Sequence, residues 1–266
     1  MIRDITLGQF YPGSSWIHRL DPRVKIMVTV FYIVALFVVD DFIGFAIAAA
    51  GLAAVIAVSR VPLSFILRGL KPVFIIIGFT FILNMFMTGG EVIASLGPLE
   101  ITWEGLRLAS FMVIRLILLI IGSSLLTLTT KPINLTDGIE ALLSPFGKIG
   151  LPAHELAMMM TIALRFIPTL LEETDKIMKA QMARGADFES GNIMRRAKAL
   201  IPILVPLFIS AFRIAQDLAM AMEARCYGCG VKRTRMNGMK LQSRDLAAAL
   251  AFVGFMAVIV AERIVL

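Results

Sequence analysis

Charge is scarce in this chain. Only 17% of its 266 residues are Asp, Glu, Lys or Arg, against 58% hydrophobic. A soluble domain of this length needs a charged surface, so the composition argues against a soluble enzyme. Histidine and cysteine are scarcer still: His18, His154, Cys226 and Cys229 are all there are. The cysteines stand in Cys-Tyr-Gly-Cys, but a zinc site needs two further ligands nearby, and both histidines are far away in sequence. Two reduced thiols are the simpler reading, and no metal is expected. The chain also lacks a His-Glu-x-x-His helix and a Gly-x-x-x-x-Gly-Lys-Ser/Thr loop. It therefore has no zincin-type metal helix and no Walker motif for ATP. Residues 1–25 carry Arg3, Asp4, Arg19, Asp21, Arg23 and Lys25 without an apolar core, so no cleavable signal peptide is expected.

What the chain does have is long charge-poor runs: Ile26–Val39, Phe42–Ser59, Pro72–Gly90, Leu108–Thr130 and Leu246–Ala261. They predict about five membrane spans and an all-α polytopic membrane protein. Some runs are shorter than a span prefers, a mismatch that snorkelling flanks or local thinning absorbs. Lys and Arg set the orientation. Arg3, Arg19, Arg23 and Lys25 precede the first run, and Arg60, Arg68 and Lys71 join the second to the third. Asp40-Asp41 close the first turn, and Glu91, Glu100 and Glu104 lie before the fourth run. The rule places the N-terminus in the cytoplasm and, with an odd span count, the C-terminus outside.

The net charge of +7 follows the same bias better than it suits nucleic-acid binding. Sixteen basic residues lie in 131–244, from Lys131 to Arg244. The expected organisation is a membrane domain over 1–130 with four spans, a cytoplasmic segment over 131–244, and a last span over 245–266.

Two long helices are legible in that basic segment. One is expected from about Ala153 to Arg184, with Leu156, Met160, Ala163, Ile167 and Leu170 at helical spacing. Glu172 with Lys176 and Asp175 with Lys179 are spaced as i,i+4 pairs. The other is expected from about Asn192 to Arg225, with Ile201, Leu204, Val205, Phe208 and Phe212 in step and Pro202 and Pro206 bending it. Spanning the membrane with this pair would export Lys176, Lys179, Arg184, Arg195, Arg196 and Lys198. An interfacial pair, or one packed on another membrane protein, avoids that. Met158, Met159, Met160 and Met178 suit an adaptable contact surface.

The helices end alike, in Ala183-Arg184-Gly185 and Ala224-Arg225-Cys226. A basic last turn and a glycine stop are ordinary helix chemistry. Their repetition suggests docking, because an Arg fork on a rigid tip pairs bidentately with a carboxylate. The apolar runs contain no acid or histidine. Their sole charge, Arg115, either lines a pathway or pairs with a backbone carbonyl or a cytoplasmic acid.

Several separated segments resemble one family in its own order. They are Tyr11-Pro12-Gly13-Ser14-Ser15-Trp16-Ile17-His18-Arg19-Leu20-Asp21-Pro22-Arg23-Val24-Lys25, Leu125-Leu126-Thr127-Leu128-Thr129-Thr130, Gly150-Leu151-Pro152, Ala163-Leu164-Arg165-Phe166-Ile167-Pro168 and Gln181-Met182-Ala183-Arg184-Gly185-Ala186-Asp187. The chain resembles the transmembrane T component of energy-coupling factor transporters, ABC-type importers of vitamins and micronutrients. The resemblance implies a non-catalytic subunit of the cell membrane. Ala183, Arg184 and Gly185 match the first docking motif. Ala224, Arg225 and Cys226 match the second, with cysteine for glycine. Two cytosolic ATPases would bind ATP-Mg and receive these tips, while this chain binds no cofactor. The apolar faces, including Met159, Met160, Leu164, Ile167, Leu204, Phe208 and Phe212, would contact a substrate-binding S component. The competing expectations are a stand-alone secondary transporter or channel, disfavoured by the acid-free runs, and an intramembrane enzyme.

Overall fold

A computed structural model describes residues 10–96, 99–150, 152–188, 193–227, 238–239 and 241–265. Arg3, Asp4, Leu151, Asn192, Gly228, Cys229, Lys232, Arg233, Arg235 and Lys240 lie outside the described residues. The chain forms an all-α membrane protein: α1 Pro22–Val38, α2 Phe42–Ser59, α3 Leu63–Leu70, α4 Phe74–Met87, α5 Trp103–Thr129, α6 Pro132–Leu143, α7 Ala153–Ala183, α8 Ile193–Ala224 and α9 Ser243–Val265. A small antiparallel hairpin, β1 Val92–Leu96 and β2 Leu99–Thr102, sits between α4 and α5, with Val92 opposite Thr102 and Leu96 opposite Leu99.

All five apolar runs fall on helices. Among the described residues α2, α5 and α9 are long and apolar enough to cross a bilayer. The first run gives the 17-residue α1, about 26 Å long at 1.5 Å per residue, short of a full span. The third gives the 14-residue α4, which joins α3 at a bend of 56° and passes only as a broken pair. α7 and α8 also pass on length and composition. Five helices therefore meet the criterion, six with the bent pair, and two of them belong to the segment that sequence assigns to the cytoplasm.

The described residues of Gly8–Ala157 and Met239–Leu266 form a larger unit, and those of Met158–Gly238 a smaller one. In the larger unit α5 is the hub, contacted by α1, α2, α3 and α4. Leu118 from α5 joins Tyr32, Ala35, Leu36, Phe45, Ala48, Leu52 and Ile259 in the core. Gly122 brings α5 against the ring of Tyr32, where an added Cβ would stand 2.6 Å from a ring carbon. Arg115 pairs with a backbone carbonyl as expected, but its acid is Asp40, in the turn that the charge rule places outside and not in the cytoplasm. Its guanidinium donates to the carbonyl of Val39 at 2.8 Å and reaches Asp40 at 3.3 Å, closing the corner between α1 and α2.

Two motifs that sequence leaves apart meet here. Tyr11 N–H donates to Leu128 C=O at 2.9 Å. Buried Lys25 donates from Nζ to the carbonyls of His18 (3.2 Å) and Thr129 (3.0 Å) and to the Thr130 hydroxyl (3.3 Å). The end of α5 is thereby stitched to the segment leading into α1. Asp21 caps α1 by accepting from Arg23 N–H, and its own N–H donates to Asp245 of α9 at 2.7 Å.

Candidate functional site

The two long helices start and stop within a residue or two of where periodicity places them, at Ala153–Ala183 and Ile193–Ala224. Their ends share one backbone closure. After α7, Gly185 takes a left-handed conformation (φ +86°); its N–H bonds Met182 C=O, and Ala186 N–H reaches back to Gln181 C=O, each at 3.0 Å. After α8, Cys226 takes the left-handed position (φ +53°). Its N–H bonds Glu223 C=O and Tyr227 N–H reaches Met222 C=O, each at 2.8 Å. This paired 5→2 and 6→1 pattern is the Schellman motif. In both, the arginine sits one residue before the left-handed turn and is exposed: Arg184 in the first tip, Arg225 in the second. Ala183, Gly185, Ala224 and Cys226 are exposed with them.

The cysteine substitution therefore keeps the closure and bears the strain of a left-handed conformation on a side-chain-bearing residue, about 1–2 kcal/mol. Each tip offers a free guanidinium fork beside a short, exposed neighbour, a geometry suited to a partner's carboxylates.

Pro202 and Pro206 lie inside α8, and Pro168 lies inside α7. A proline cannot donate to the carbonyl four residues earlier. Pro206 thus releases the carbonyl of Pro202, and the Gln181 side-chain amide donates to it at 3.4 Å. Gln181 also supplies the carbonyl that closes the first tip. Sequence gives no sign of this contact, because it depends on two helices lying side by side. The expected partner of Lys176 is corrected too: it pairs with Glu173 at 3.6 Å, one residue nearer than the i,i+4 spacing from Glu172.

The candidate contact residues lie on accessible apolar faces. Leu204, Phe208 and Phe212 repeat at i,i+4 along α8 and are exposed, the phenylalanines at 62% and 67%. Met159 and Met160 on α7 are exposed, whereas Leu164 and Ile167 are half-buried. Within the chain only 6% of the apolar window of either long helix is buried, against 28% for α2. Large exposed apolar surface of this kind marks contact with lipid or another protein.

In the larger unit the segment before α1 has an electrostatic character of its own. The carbonyl of Tyr11 can only accept, so His18 Nε2 donates to it (3.2 Å) and Nδ1 accepts from the Ser15 hydroxyl (2.7 Å). That is the neutral tautomer. Burial first, and then the charge on Lys25, push His18 below its ordinary pKa of 6.5, against the Tyr11 carbonyl, which raises it.

Comparison with known proteins agrees with this architecture. The family model described as CbiQ, cobalt transport protein, matches residues 13–236. The energy-coupling factor transporter transmembrane protein EcfT of Thermosediminibacter oceani is 63% identical, over 97% of each chain. The protein of the same name from Clostridium kluyveri is 57% identical, over 99% of this chain and 98% of its own, and that of Listeria innocua 48%, over 92% and 93%. The family match covers α1 to α8 with both tips, and on these comparisons this chain belongs to the CbiQ/EcfT family, the transmembrane components of energy-coupling factor transporters.

Proposed function

We propose that this chain couples ATP-driven motion of two cytosolic ABC-type ATPases to a membrane-embedded S component that binds a vitamin or other micronutrient. The observation that carries the reading is the repeated closure, which presents Arg184 and Arg225 identically at the ends of two long helices. In this reading each arginine enters an acidic groove of one ATPase. ATP and Mg2+ bind those partners, not this chain, which does no chemistry of its own.

The α7 and α8 helices are about 46 and 48 Å long at 1.5 Å per residue, long enough to carry a displacement from the cytosol to the bilayer surface. Ala183, Gly185, Ala224 and Cys226 fix the tips, while Pro202 and Pro206 localise bending in α8. The faces with Met159, Met160, Leu164, Ile167, Leu204, Phe208 and Phe212 meet the S component, and their shift releases its cargo. The pair lies along the cytoplasmic interface of the cell membrane, with the N-terminus inside and the C-terminus outside, in keeping with its basic residues. A helix pair with two arrangements, biased by partner contacts, is a sufficient switch.

The test is purification of the membrane complex from cells expressing R184E/R225E. Loss of both ATPases with retention of the folded membrane subunit is expected. Undiminished co-purification would sink the docking assignment, and substrate flux in liposomes holding this chain alone would favour an independent transporter.

A further inference from the structure

We infer that the larger unit holds one anionic phospholipid in a two-part cavity formed by α1, α2, α5 and α9 with the segment leading into α1. The first part is an apolar groove of about 390 Å3, walled by Trp16, Leu52, Val55, Leu126, Ala251 and Phe255 among others. The second is a polar pocket of about 370 Å3, with Ser14, His18, Arg19, Lys131 and Asn134 in its wall. The two share Leu20, Lys25 and Thr129. They are thus one amphipathic space with an apolar end and a polar end.

The polar end is cationic. Arg19 and Lys131 are exposed there, and Lys25 is buried at the shared rim. Among the described residues no Asp or Glu lines either part. The acids near Lys25 are engaged elsewhere: Asp21 accepts from Arg23 N–H, and Asp245 accepts from the N–H groups of Asp21 and Gln242. Lys25 spends its donors on His18, Thr129 and Thr130. It therefore contributes positive field, while Arg19 and Lys131 are placed to donate to phosphate oxygens.

Chemistry selects the occupant. The groove wall is almost wholly apolar and suits a hydrocarbon chain. A small anion would leave the apolar end empty, and a neutral lipid would leave the cationic end unmatched.

Trp16 lines the groove, and the chain has one other tryptophan, Trp103. The full chain carrying W103F is therefore a single-tryptophan reporter. It is reconstituted in phosphatidylcholine vesicles containing a minor fraction of either brominated phosphatidylglycerol or brominated phosphatidylcholine. Quenching of Trp16 should favour the anionic lipid by about thirtyfold in apparent affinity, the scale expected for two basic side chains near a membrane surface. R19Q/K131Q should abolish the preference. A251F, which fills the groove, should weaken quenching by both lipids, with A54F as the second groove-filling variant if A251F fails to fold. Equal quenching by the two lipids overturns the proposal. So does a preference that survives R19Q/K131Q, or inorganic phosphate protection of the polar end without lipid preference, which would mean a small-anion site.

Discussion

The side-chain amide of Gln181 donates to the carbonyl of Pro202 at 3.4 Å, tying the last turn of α7 to the proline-interrupted part of α8. The acceptor is available only because Pro206 has no N–H to offer it. Q181L removes the tie and leaves that carbonyl to solvent. A net loss of about 1 kcal/mol is expected, within the range of one hydrogen bond. On the coupling reading, co-purification of the ATPases should be unchanged while substrate uptake falls several-fold. Unchanged uptake by Q181L would mean that the tie carries no motion.

Gly185 and Cys226 occupy the same place in two equivalent closures, so their exchange is informative. G185C puts a side chain into the left-handed region and should cost about 1 kcal/mol. C226G should gain less than that, because glycine raises the entropy of the unfolded chain. Neither touches a guanidinium, so R225A should weaken ATPase retention far more than C226G. Retention assays on the three single variants make the comparison.

Lys25 of α1 donates to Thr129 and Thr130 at the end of α5 and to the carbonyl of His18 before α1. K25M fills similar space but leaves those oxygens without their donor. A loss of about 3 kcal/mol is expected, as for removal of one partner from a buried charged network. It should appear as faster proteolysis between α5 and α6 and as a lower melting midpoint in detergent. Wild-type resistance in K25M would show that packing alone holds this junction.

His18 is held neutral, with its folded pKa below 6.5. As pH falls, the unfolded chain takes up the proton first, so stability from this residue is complete above about pH 6.5 and declines below it. The melting midpoint of the purified chain should therefore drop between about pH 7 and pH 5. H18Q retains a side-chain N–H donor without titrating, so its profile should be flatter over that interval. Parallel profiles would remove His18 from the acid response.

The helices were legible because their physics is local. Apolar runs bounded by Asp40-Asp41, Arg60 or Thr130 mark segments that cannot remain in water, and the period of Leu204, Phe208 and Phe212 fixes a helix and its face. The tips were legible as a repeated tripeptide, whose shared geometry follows from a left-handed residue after each arginine. Three things were not legible. The break between α3 and α4 falls at Lys71-Pro72-Val73, where one proline does not say whether a span ends or only bends. The Lys25 network joins residues more than a hundred positions apart, and a lone lysine before a span looks like ordinary positive-inside charge. The placement of α7 and α8 turns on a conflict between enough apolar length to cross and too many cations to export, which composition alone leaves open.

The repeated closure also bears on symmetry. A single chain has no two-fold axis with which to meet a pair of like-folded partners. On the proposed coupling reading, six residues of backbone, used twice, would give this chain two equivalent handles, while the rest of it stays free to be different on each side. The cysteine at one handle and the glycine at the other are then the mark by which the two halves of such an assembly can be told apart.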